Sequence, residues 1–213
     1  MTGVPDLSLY LVTDRAACLG RDLLEVVAAA VRGGATLVQI REKDCGTRQF
    51  VELARAVKKL LAPTGVPLIV NDRVDVALAC GADGVHVGQK DMAPADARRL
   101  VGPDMILGLS VSSLEEALQA WGKPVDYLGV GPIFPTPTKA DAASPLGLDG
   151  LAEIRQATDV PLVAIGGLSA ANAGQVMRAG ADGAAVVSAL CSAADPEAAA
   201  RELARIIAAS RGA

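Results

Sequence analysis

PLIVN (67–71) followed by GADGVHV (81–87), echoed by PLVAI (161–165) followed by GADGAAVV (180–187), decides how the chain is read. In both places a short apolar run is followed, after an intervening stretch, by a Gly-Ala-Asp-Gly turn that enters a second apolar run. The runs are continuously apolar rather than alternating, the pattern of parallel strands covered on both faces. Outward from these, similar runs recur at LYLVTD (9–14), ATLVQI (35–40), MILGLS (105–110) and DYLGV (126–130). With PLIVN, DGVHV (83–87), PLVAI and DGAAVV (182–187) they make eight candidate strands. Alanine- and leucine-rich helical patterns lie between, among them LLEVVAAAVR (23–32), FVELARAVKKLL (50–61), LEEALQAW (114–121) and AAARELARIIAA (198–209).

Strict alternation over 213 residues predicts an α/β fold, a single-domain (β/α)8 TIM barrel spanning 1–213, since such barrels need about 200 residues or more. An open doubly wound sheet is the alternative. The repeated Gly-Ala-Asp-Gly hints at two half-barrels, or is simply a common turn entering a strand.

Composition narrows the function. Lys plus Arg number 20 against 24 Asp plus Glu, a formal charge of −4, and the aromatics are two Tyr, two Phe and one Trp. That excludes a strongly basic nucleic-acid binder and leaves no interleaved stacking platform, so no nucleic-acid partner is expected. The start MTGVPDLSLY lacks a basic stretch followed by an apolar run, and no apolar segment reaches membrane-spanning length. A cytoplasmic protein without membrane association is expected. Cys18, Cys45, Cys80 and Cys191 are scattered, with no CxxC pair, and read as reduced structural thiols.

In a barrel, chemistry comes from the carboxyl ends of the strands and the loops after them. After the second strand stands Gln39-Ile40-Arg41-Glu42-Lys43; if the extended conformation persists, Gln39, Arg41 and Lys43 share one side. A solvated loop is the plainer reading. Asn71-Asp72-Arg73 and Gly88-Gln89-Lys90-Asp91 each put a carboxylate at the mouth, and two such carboxylates suit Mg2+ beside a phosphorylated substrate. Asp72 and Asp91 also suit helix N-caps. The long connection GPIFPTPTKADAASPLG (131–147) offers Thr136, Thr138 and Lys139 on a loop able to close over a ligand. Gly166-Gly167 and Val187-Ser188 end the seventh and eighth strands, where barrels often bind phosphate. Ser110 and Asp14 close two further strands, or else serve as helix N-caps. His86, the single histidine, sits inside a strand and reads as a packed or locally bonded residue rather than a catalyst, and with one histidine and no supporting spacing a zinc or Ser-His-Asp mechanism has little support.

Taken together, QIREK, NDRVDVALACGADGVHVGQKDM, GLS, GPIFPTPTK, AIGG and VVS stand in the order and spacing of thiamine phosphate synthases, which the chain resembles over nearly its whole length. Ile40, where leucine is common, is the one conservative departure. The resemblance implies a (β/α)8 enzyme that joins 4-amino-2-methyl-5-hydroxymethylpyrimidine diphosphate to a thiazole phosphate or its carboxylated form, releasing diphosphate, with Mg2+ as cofactor. It implies that Gln39, Ile40, Arg41, Glu42, Lys43, Asn71, Ser110 and Lys139 bind the pyrimidine diphosphate, with Arg41, Lys43, Ser110 and Lys139 catalytic. Asp72 and Asp91 would hold the metal; Thr136, Pro137, Thr138, Gly167, Val187 and Ser188 would bind the thiazole phosphate. The family chemistry implied is dissociative, the bond to diphosphate breaking before the thiazole nitrogen attacks. A thiazole tautomerase on the same fold, which has no leaving diphosphate to neutralise, and a non-catalytic phosphate-ligand binder are the competing readings. The oligomeric state is open.

Overall fold

The computed structural model describes residues 5–136 and 144–211. Eight parallel strands close into a barrel in chain order: β1 (Leu9–Val12), β2 (Leu37–Ile40), β3 (Leu68–Asn71), β4 (Gly84–Val87), β5 (Ile106–Val111), β6 (Tyr127–Val130), β7 (Leu162–Ile165) and β8 (Gly183–Val186). Around it lie α1 (Leu23–Arg32), α2 (Thr47–Leu61), α3 (Val74–Cys80), α4 (Pro94–Val101), α5 (Leu114–Gln119), α6 (Gly147–Ala157) and α7 (Ala173–Arg178). After β8 come a short α8 (Ser188–Cys191) and a long α9 (Pro196–Ser210). β1 pairs with β8, Tyr10 opposite Ala185, so no strand edge is left open and the doubly wound alternative is excluded.

Local chemistry starts the helices where the sequence suggests. Asp22 accepts the Leu24 N–H at 2.9 Å to begin α1, Ser113 accepts that of Glu116 to begin α5, and Asp195 caps α9 just before Pro196. The LEEALQAW pattern stops early, at Gln119, and leaves Trp121 82% exposed. Among the described residues no helix is long and apolar enough to cross a membrane. The four cysteines are free.

Outward-facing strand residues such as Leu11, Val38, Ile40, Val70 and Val85 pack under the helices in the larger core. Inward-facing ones, including Tyr10, Leu37, Ile69, Tyr127 and Val163, form a smaller core inside the barrel.

The Gly-Ala-Asp-Gly repeat is more than a turn. Asp83, at the amino end of β4, accepts the Leu68 N–H of β3 at 2.7 Å and pairs with Lys58 of α2 at 2.5 Å. Asp182, before β8, accepts the Leu162 N–H at 2.8 Å and pairs with Arg155 of α6 at 3.1 Å. Asp126, before β6, does the same with the Leu107 N–H and Arg98 of α4, both at 2.7 Å. Thr36, before β2, supplies an acceptor for the Leu9 N–H in the same place. Each even strand thus enters the barrel by tying down the strand before it, and the Asp members add a helix cation. Gly81 ends α3 with φ +66, and a Cβ at Gly84 would meet Ile69 Cδ1 at 2.5 Å, so both glycines of the first copy are required.

This ladder gives a stability prediction. Asp126→Ala strands the Leu107 amide and an Arg98 guanidinium that also bonds the Pro124, Gly102 and Met105 carbonyls. The loss should be about 1–3 kcal/mol in urea unfolding, with turnover at the opposite end of the barrel retained. An unchanged midpoint would contradict the role given to the ladder.

Candidate active site

Parity along the strands points Tyr10, Gln39, His86, Ser110 and Tyr127 into the barrel, and they bond in series. Gln39 Nε2 donates to Tyr10 Oη at 2.7 Å; Tyr10 Oη lies 2.9 Å from Tyr127 Oη; Tyr127 Oη lies 2.8 Å from His86 Nδ1; and His86 Nε2 lies 2.8 Å from Ser110 Oγ. Room for this chain comes from glycine. A Cβ at Gly108 would stand 2.2 Å from Tyr127 Cζ and 2.4 Å from His86 Nδ1, and one at Gly129 would stand 2.9 Å from His86 Cε1. Burial pushes His86 down to about 4 against the opposing pull of Asp91, so its ring is neutral at neutral pH. Burial also raises the Tyr10 and Tyr127 phenols above their usual range. Among the described residues no buried side-chain nitrogen or oxygen lacks a partner.

At the carboxyl ends of β2, β3 and β4 the charges converge. β3 is followed by a left-handed residue, Asp72 with φ +62, whose amide still bonds the His86 carbonyl at 2.7 Å. Such backbone strain in a non-glycine residue is tolerated where the side chain has a task. Asp72 accepts from Asn71 Nδ2 and from Lys43 Nζ, both at 2.5 Å. Asp91 accepts the Gly88 N–H at 2.7 Å and interacts directly with Asp72. Burial first and Asp72 next raise the Asp91 carboxyl above its ordinary value, against the Gly88 hydrogen bond and Lys43. Neither aspartate caps a helix, since the caps of α3 and α4 are Arg73 and Ala93. Two carboxylates held against each other are a fitting pair of ligands for a hard divalent cation. Among the described residues no group of three or more His, Cys, Asp or Glu is placed to hold a metal alone, so other oxygens would have to complete the shell.

The expected row of Gln39, Arg41 and Lys43 breaks after Ile40, where β2 ends. Gln39 turns into the barrel, Arg41 pairs with Asp14 at 3.0 Å, and Lys43 reaches Asp72 beyond a bend at 43–45. Opposite charges on neighbouring loops, rather than strand periodicity, place these donors. Glu42 pairs with Arg15 at 3.0 Å, and Ile40 is fully buried under the helices and stands opposite Val70 in the β2–β3 ladder. Asp14 lies beyond β1, accepting the Ala17 N–H at 3.0 Å, and Ser110 lies within β5 rather than at its end.

Across the mouth, Gly166 (φ +99) and Gly167 (φ +66) make the turn after β7. A Cβ at Gly167 would lie 2.7 Å from the Pro135 carbonyl, so this turn backs directly onto the loop that leads to Thr136. Pro137, Thr138 and Lys139 lie outside the described residues. β8 ends at Val186; Val187 stands at the cap position before α8, which no side chain caps, and Ser188, the first residue of α8, is exposed.

Sequence reasoning missed Tyr10 and Tyr127, whose signal was an aromatic at an inward position among glycine-containing strands. It also missed Asp14 as the partner of Arg41, and Gln89, whose Nε2 donates to the Ser110 carbonyl at 2.7 Å.

Comparison with known proteins fits this arrangement. The family model described as thiamine monophosphate synthase matches residues 9–190. The chain is similar to the thiamine-phosphate synthase of Albidiferax ferrireducens, 59% identical over 201 residues, which cover 94% of this chain and 92% of that one. It is 63% identical to the thiamine-phosphate synthase of Solidesulfovibrio magneticus over 203 residues, 95% of this chain and 96% of that one. Among solved structures it is similar to the thiamine phosphate pyrophosphorylase of Pyrococcus furiosus, with TM-score 0.88, 41% identity, and coverage of 97% of this chain and 98% of that one.

The raised Asp91 carboxyl opposes folding in a definite pH window. The folded chain holds this proton more tightly than the unfolded chain, so stability falls as pH rises from the ordinary carboxylate range through the raised value. Below that range the penalty is absent. Asp91→Asn, which keeps an acceptor for Gly88, should therefore be more stable than the parent at pH 7 in EDTA and match it near about pH 3. Urea unfolding at the two pH values checks this, and a variant no more stable at pH 7 would contradict it.

Proposed function

The chain belongs to the thiamine monophosphate synthase family and has its transferase activity in thiamine biosynthesis; from that premise we propose which substrates the mouth of the barrel takes and how. The reaction is condensation of 4-amino-2-methyl-5-(diphosphooxymethyl)pyrimidine with 4-methyl-5-(2-phosphooxyethyl)thiazole or its carboxylated form, giving thiamine phosphate and diphosphate, with CO2 released as well when the thiazole is carboxylated. The observation that supports this most is the meeting of Asp72, Asp91 and Lys43 at one edge of the mouth, beside the inward pair Gln39 and Ser110.

Gln39 and Ser110 hold the pyrimidine, while Arg41, Lys43, Asn71 and Lys139 take the diphosphate. Asp72 and Asp91 would hold Mg2+, which when bound would supply positive charge beside the diphosphate. The thiazole phosphate lies across the mouth, its phosphate on the amides around Gly167, Val187 and Ser188 and its body beside Thr136 to Thr138. Uncapped amides at a helix start suit an anion.

Charge accounts for the composition of this mouth. A diphosphate monoester brings about three negative charges, to which the carboxylates of Asp72 and Asp91 add two. Arg41, Lys43, Lys139 and the metal oppose them, although the pairing of Arg41 with Asp14 tempers its share. A single well-placed donor to developing charge is often worth about 10²- to 10³-fold in rate. Bond breaking comes first: the electron-rich aminopyrimidine carries the positive charge on its methylene, and the thiazole nitrogen, with no proton to lose, then attacks. No general base is required, in keeping with a neutral His86 whose two nitrogens are both engaged. The setting proposed is the cytoplasm.

The test is incubation with both phosphorylated precursors and Mg2+, with thiamine phosphate and diphosphate assayed together. Equal yields of the two products are expected, none after EDTA, and next to none for Asp72→Ala or Asp91→Ala, both of which should remain folded. Full turnover in EDTA would overturn the role given to the metal; absence of both products with Mg2+ would overturn the substrates.

A further inference from the structure

We propose that the buried chain Gln39–Tyr10–Tyr127–His86–Ser110 sets the hydrogen-bond polarity of the mouth, and thereby selects a 4-aminopyrimidine over its 4-oxo counterpart. This rests on the placement of the pyrimidine between Gln39 and Ser110 given above.

Counting protons fixes the direction of every bond in the chain. Each phenol and the serine hydroxyl carries one proton, and a neutral imidazole carries one on one nitrogen. Gln39 Nε2 donates to Tyr10 Oη at 2.7 Å, so the Tyr10 proton goes to Tyr127, 2.9 Å away. The Tyr127 proton then goes to His86 Nδ1 at 2.8 Å, which must therefore be bare. The imidazole proton sits on Nε2 and is donated to Ser110 Oγ at 2.8 Å. Nε2–H is also the intrinsically preferred tautomer of a neutral imidazole. What remains at the two ends is complementary: Gln39, its amide orientation fixed by the N–H given to Tyr10, offers its Oε1 acceptor, and Ser110 has accepted a bond and offers its own hydroxyl proton.

An aminopyrimidine presents an N–H donor on its amino group and an acceptor at the adjacent ring nitrogen, which match this pair. The 4-oxo ring presents the reverse, a carbonyl and a ring N–H. To receive it, all five groups would have to reverse together, with the Gln39 amide turned over and the His86 proton moved to Nδ1. Packing holds both rings in the chain, because Gly108 and Gly129 leave only the space that the His86 and Tyr127 rings fill, so neither ring can turn aside to escape the coupled reversal. The His86 and Tyr127 ring centroids are 5.4 Å apart. Tyr10, Tyr127 and His86 are thus positioning residues, acting through Gln39 and Ser110. Sites that hydrogen-bond a substrate's polar edge can reject a mismatched analogue by about 10⁴-fold or more.

The experiment has two readouts. His86 is the single histidine, so the full-length protein labelled with 15N-histidine reports one imidazole. At neutral pH and without substrate, Nε2 should show the shift of a protonated nitrogen and Nδ1 that of a bare one. Separately, competitive inhibition constants against the normal substrate are measured for the 4-amino and 4-oxo forms of a pyrimidine methyl diphosphate analogue with CH2 in place of the ester oxygen, so that neither is turned over and their different electronic effects on bond breaking do not enter. The amino form should win by about 10²- to 10⁴-fold. Tyr10→Phe, which frees the Gln39 amide to turn while Tyr127 still donates to His86, should cut that ratio to within about tenfold while the Nε2–H signature persists. Tyr127→Phe should lower the ratio and also shift the Nδ1 signal, and it serves as a second variant if the first does not fold. A proton on Nδ1 in the parent protein, or a ratio unchanged in a folded variant, overturns the relay. Failure of both pyrimidines to compete, with the Nε2–H signature intact, overturns the placement of the pyrimidine and the selectivity drawn from it.

Discussion

A methyl group cannot be added at position 108: it would stand 2.2 Å from the ring of Tyr127. That exclusion shapes the inside of the barrel. Interiors of this fold are usually filled by layers of branched aliphatic side chains, whereas here two tyrosines, a histidine and a glutamine occupy the centre and satisfy one another. Gly108 faces His86 in the β4–β5 register and Tyr127 in the β5–β6 register, which is why one missing side chain admits both rings. From there the polar chain runs to Ser110 and Gln39 at the mouth. The packing of the interior and the chemistry of the rim are therefore one arrangement.

The aspartates show how position assigns a residue's task. Asp83, Asp126 and Asp182, at the amino ends of strands, each meet a backbone N–H and a cation and are fully compensated. Asp72 and Asp91, at the carboxyl ends, face each other, with Lys43 as the nearby cation. The first set stabilises the fold; the second stores repulsion that a bound cation would relieve. Such a division between a stabilising end and a reactive end is general to barrels of this kind, and here one residue type serves both.

Much of this was legible in the sequence. All eight strands lie where apolar runs stand, because strands covered on both faces are mostly apolar, with Gln39, Asn71, His86 and Ser110 the few polar residues that face the barrel interior or its mouth. The carboxylates at 72 and 91 and the inward Gln39 follow from strand ends alone. The rest depends on contacts between distant segments. Strand periodicity could not foresee that Arg41 turns to Asp14 and Lys43 to Asp72, since those loops meet only once the barrel closes. Nor could it tell that Tyr10 and Tyr127, 117 residues apart, share a hydrogen bond. The Gly-Ala-Asp-Gly repeat was visible as a string, but its meaning lay in the amide and the cation that each Asp receives.

The proposed function turns on the order of events at the mouth, where the cations suit a bond to diphosphate that would break before the thiazole nitrogen arrives. The most direct test is the secondary deuterium isotope effect at the reacting methylene, measured in single turnovers where chemistry limits the rate. If the methylene passes through a planar cation, deuterium there should slow the reaction, giving a clearly normal effect that does not change with thiazole phosphate concentration. An effect of unity or an inverse one would mean that the incoming nitrogen is already bonding as diphosphate leaves, and would contradict a cationic intermediate.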